Sequence, residues 1–79
     1  MFTRLTVIVN RRGQQQDFEM PSATTVSYAA LRVAESRGFD SEITPCCLGD
    51  PATGQPLDSS LTVADLKGPV LFLLGRKPS

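Results

Sequence analysis

The sequence predicts an α+β fold, with one helix packed across one face of a mixed four- to five-stranded sheet, and three observations predict it. Strand-like alternation opens the chain in "RLTVIVN", where every second residue is apolar and the rest are β-branched or polar. A single later stretch, "TVSYAALRVAESRG", has helical spacing instead. The run "VLFLL" is apolar on both of its faces, the pattern of a strand in the interior of a sheet rather than at its margin.

The first strand covers residues 4–10, with Leu5, Val7 and Val9 on one face and Thr6 and Ile8 on the other. "NRRGQ" follows, a turn supplied by Asn10 and Gly13, and "QQDFEM" alternates again with Phe18 and Met20 on one side, so the two strands form a hairpin. Pro21 ends the second strand because it cannot donate to a ladder. Thr24 or Thr25 caps the helix, whose core positions are Val26, Ala29, Ala30, Val33 and Ala34, with Gly38 as terminator. Small residues on that face let the helix lie close to a sheet. Tyr28 and Leu31 are boundary residues.

In "DSEITPCCLGD", Ile43, Cys46 and Leu48 are expected to face inward. "DPATGQPLD" is turn chemistry, Leu57 begins a brief strand, and "SSLTVADL" is a short helical turn holding Leu61, Val63 and Leu66. Gly68 and Pro69 break the chain before the last strand, residues 70–74, in which Val70, Phe72 and Leu74 face the helix and Leu71 and Leu73 the opposite side. Right-handed crossover places this strand parallel to the first. A hairpin, a crossing helix and a central last strand define the β-grasp.

At 79 residues the chain is one domain, assigned to residues 1–75, with 76–79 as a short tail. Its 41% apolar and 20% charged residues suit a globule. Eight basic residues balance eight acidic ones, so neither a nucleic-acid nor a membrane partner is expected. "MFTRLTVIVN" alternates too strongly for an export signal, which makes the cytoplasm the expected location. The adjacent Cys46 and Cys47 close no stabilising loop and read as reduced thiols. With no histidine, no activated nucleophile and no four-ligand metal set are expected, hence no enzyme, cofactor or metal.

The order of "LTVIV", "DFEMPSATTV", "GFD", "GQPLDSSLTVADL" and "VLFLL" resembles the ubiquitin-like family over nearly the whole chain. More narrowly, "LTVIVN" and "ATGQPLD" followed by "TVADL" look like small bacterial ubiquitin-like proteins found with bacterial conjugation machinery and associated with phage defence. The resemblance implies a protein modifier or its precursor, with activating and conjugating enzymes and a peptidase as partners. Such modifiers are activated at a terminal glycine, because a narrow enzyme channel admits no Cβ. Here the corresponding residue is Gly75, followed by "RKPS" in place of a terminal diglycine. Removal of 76–79 would expose it for conjugation; alternatively it only ends the strand.

The second expected site is a surface. Ile8, Leu71 and Leu73, joined by Cys47, fall on the sheet face away from the helix, where ubiquitin carries its main recognition patch. Such a cluster marks a protein-contact or self-association face. The same face serves the rival reading, an unconjugated β-grasp adaptor or accessory subunit of a multiprotein complex of secretion or oxygenase type.

Overall fold

Alternation at Leu5, Val7 and Val9 places three apolar side chains on one side of the opening strand, and all three are buried. In the computed structural model, which describes residues 1–40 and 42–76, this strand is β1 (Phe2–Ile8). It pairs antiparallel with β2 (Gln15–Pro21). The turn between them is built by Asn10, whose side-chain carbonyl accepts the N–H groups of Arg12 and Gln14. Gly13 supplies the positive φ of +79° that the turn requires.

Helix α1 (Val26–Ser36) starts at Thr25, whose hydroxyl accepts the Tyr28 N–H. Its five expected core residues are all buried. At its end the Gly38 N–H donates to the Glu35 carbonyl and the Phe39 N–H to the Ala34 carbonyl, the pair of bonds of a Schellman motif around a left-handed glycine. Strand β3 (Cys46–Gly49) and strand β4 (Val70–Leu74) complete the sheet. Among the described residues the sheet has four strands in the order β2-β1-β4-β3, with β4 parallel to β1 and antiparallel to β3. One helix lies across this mixed sheet, a β-grasp-like α+β fold. The Cys46 thiol, 3.6 Å from the Ala30 carbonyl oxygen, marks the close approach of helix and sheet that the alanines allow.

The remaining segment is fastened by its backbone. The Leu57 N–H donates to the Leu48 carbonyl and the Asp50 N–H to the Gln55 carbonyl, with a single bridge between Gly49 and Pro56 where a brief strand was expected. A short 3₁₀ turn over Val63–Asp65 is closed by Asp65, which accepts the Thr62 N–H and hydroxyl; those bonds hold its carboxyl below the usual carboxylate range. Val63 is fully buried in the core.

Two inward assignments do not hold. Ile43 is 79% exposed: its N–H and that of Thr44 donate to the Asp40 carbonyl, which holds it in a turn ahead of β3, and β3 starts only at Cys46. Leu74 is 44% exposed: β1 ends at Ile8, opposite Leu71, so among the described residues β4 runs on with no strand beside it on that side. The expected tail beyond Arg76, including Lys77, lies outside the described residues. Among the described residues no helix is long and apolar enough to cross a membrane.

Candidate protein-binding face

Pairing registers fix which side chains share the face away from α1. Ile8 stands beside Leu71, Leu71 opposite Gly49, and Leu73 opposite Cys47, so all five residues belong to one patch of the outer sheet face. The structure thus brings Ile8, Leu71 and Leu73 together, each half-buried. Cys47 shares their face but lies beneath it, only 2% exposed. Burial pushes both thiols above the ordinary cysteine value, with Cys46 raising Cys47 further and Arg76 opposing the shift. Cys47 therefore offers its neighbours packing surface and offers a partner neither area nor a thiolate.

The coverage on this face comes from a specific contact. A Cβ built on Gly49 would meet the Leu73 Cδ1 at 2.6 Å and the Gln55 carbonyl oxygen at 3.1 Å. Leu73 thus folds sideways onto the bare backbone of Gly49, which explains why β3 is buried on both faces. Glycine here makes room for a neighbour.

Gly75 has the opposite role. Its φ of +80° belongs to the left-handed region, nothing lies within 4 Å of a Cβ built on it, and its N–H donates to the Pro45 carbonyl at 2.7 Å. The residue turns the chain out of β4 and is held in that turn by β3's approach segment.

Where β4 outruns β1, a groove of about 520 Å³ opens. Ile8, Leu71 and Leu73 reach it from the outer face, Phe39 and Leu74 from the other side, and Arg11, Arg37 and Arg76 line it as well. These arginines come from the hairpin turn, the residue capping α1 and the chain after β4. Sequence reasoning missed them, since three separated cations carry no local motif. A second groove, between α1 and the free edge of β2, is lined by Phe2, Phe18, Met20 and Tyr28; Phe2 and Tyr28 are exposed there. Among the described residues no cluster of potential metal ligands occurs. No family model matches the chain, and no curated protein is significantly similar to it.

Proposed function

We propose that this chain is a non-enzymatic protein-binding module that engages a protein partner through Ile8, Leu71 and Leu73. The observation that carries the reading is the continuity of this apolar patch with a groove at the end of β1, since apolar surface collected in one place rather than scattered favours a contact site. The test compares proteins captured from host extract by the wild type and by Ile8→Glu and Leu71→Glu variants. The expected outcome is selective loss of one partner by both variants, with circular dichroism and thermal melts retained. A partner held equally by all three sinks the proposal. Ile8→Glu is a cleaner probe than Leu73→Glu, because Leu73 also packs on Gly49.

A second reading, conjugation, is favoured by the exposure of Gly75 directly after β4. On this reading a peptidase cleaves after Gly75 and an activating enzyme then takes the new carboxylate. The Pro45 contact has to open before the glycine can extend into a channel. Intact mass of the protein from its own host tests it: chains ending at Gly75 and adducts joined through it support conjugation, and a full-length unmodified chain removes it. The narrower likeness to bacterial phage-defence proteins is tested by neighbouring genes, with activating and conjugating enzymes expected beside this one.

A further inference from the structure

Resting on the reading of the Ile8, Leu71 and Leu73 face as a contact site, we infer that its partner presents an extended segment with an apolar core and acidic flanks, seated in the groove beside β4. Three features select that chemistry.

The first is charge. Arg11, Arg37 and Arg76 line the groove and no acidic residue does. Among the described residues none of the three guanidinium groups has a carboxylate or hydrogen-bond partner; the one ion pair is Arg32 with Glu35, elsewhere on α1. Formal charge over the whole chain is zero, so the groove is a local positive site on a neutral protein. Unpaired guanidiniums converging from three segments match carboxylates, which they bind in forked, charge-assisted pairs.

The second is shape. The β1–β4 pairing covers only Val7 with Val70 and Ile8 with Leu71, so residues 72–74 of β4 have no strand beside them on that side among the described residues. An extended peptide laid there continues the line of β1 and meets backbone as well as side chains. The apolar core follows from the lining, to which Leu71 and Leu73 contribute on the outer face of the strand and Leu74 on the other.

The third feature argues against a second copy of this chain as occupant. A twofold pairing through the groove would gather both copies' three arginines into one interface with no acidic lining residue to offset them, and like charges across an interface oppose association.

The test uses the whole chain, isotopically labelled, titrated with a synthetic peptide of Leu-Ile-Val-Leu flanked by aspartates and, separately, with the same core flanked by lysines. The expected result is amide shifts confined to residues 8–11, 37–39 and 71–76 for the acidic peptide only, weakened by added salt. Combined Arg11→Glu, Arg37→Glu and Arg76→Glu should weaken binding by about tenfold, as three solvent-facing ion pairs together allow, with an unchanged melting curve. Equal binding of both peptides, both lost in Ile8→Glu, would overturn the charge inference while keeping the face. Shifts located in the α1–β2 groove, concentration-dependent shifts at 71–76 without peptide, or no shift with the acidic peptide would each overturn the inference, while the capture experiment judges the face independently.

Discussion

The outer face of the sheet divides into two halves that meet water differently. Across β1 and β2, Arg4 stands opposite Glu19 and Thr6 opposite Asp17, and the Thr6 hydroxyl donates to the Asp17 carboxylate at 2.8 Å. This half sets polar and oppositely charged residues against each other across its strands, and one of those pairs closes in a hydrogen bond. Across β4 and β3 the same face carries Leu71, Leu73, Cys47 and Gly49, and among the described residues the arginines beside it line a groove with no carboxylate. The contrast separates a surface whose polar side chains stand opposite complementary ones from one whose apolar area and charges have no such counterparts across the strands. Cross-strand polar pairs stabilise a sheet modestly, but they also leave a partner little to gain.

Substitutions can break this comparison at several strengths. The largest effect is expected at Gly49, where a valine would collide with Leu73 and the Gln55 carbonyl and should destabilise the fold by about 1–3 kcal/mol in denaturant unfolding. Combining it with Leu73→Ala should cost less than the sum of the two separately, because the Leu73 part of the clash is removed with the leucine while the Gln55 carbonyl contact remains. Strict additivity would show that Leu73 is not what closes β3 from above. Next in size is Gly75→Ala, which forces a Cβ into the left-handed region and should cost about 1 kcal/mol in a thermal melt; an unchanged melt would show that the turn after β4 adapts freely. The smallest effect belongs to the polar half. Thr6→Ala removes a solvent-facing hydrogen bond and should stay within about 0.5 kcal/mol of the wild type, and a larger loss would mean that the polar half is a structural unit rather than a solvated one.

How far these regions could be read from the sequence depends on how local their causes are. The hairpin, the helix and its buried face follow from periodicity, an Asx-type turn and a terminating glycine, all signals within a few residues. Side-chain phase along β4 was legible too, since alternation alone puts Leu71 and Leu73 away from the helix. What alternation does not carry is where a neighbouring strand stops: Leu74 has the phase of a core residue and is exposed because β1 ends opposite Leu71. Cys47 is the converse, an outer-face residue that is buried, opposite a Leu73 whose side chain reaches across to the bare backbone of Gly49. The arginine groove was illegible for a similar reason. Its three cations are assembled by tertiary structure from positions that are unremarkable as sequence.

The neighbours β1 and β4 are the first and last strands of the fold, and Val7 meets Val70. Local contacts in the hairpin and in α1 can form on their own, but the middle of the sheet needs a loop spanning most of the chain to close. Contacts so distant in sequence slow folding relative to helical proteins of similar size. Until that loop closes, the inner edge of β1 is an unpaired strand edge available to other chains, a hazard set by time rather than by final stability.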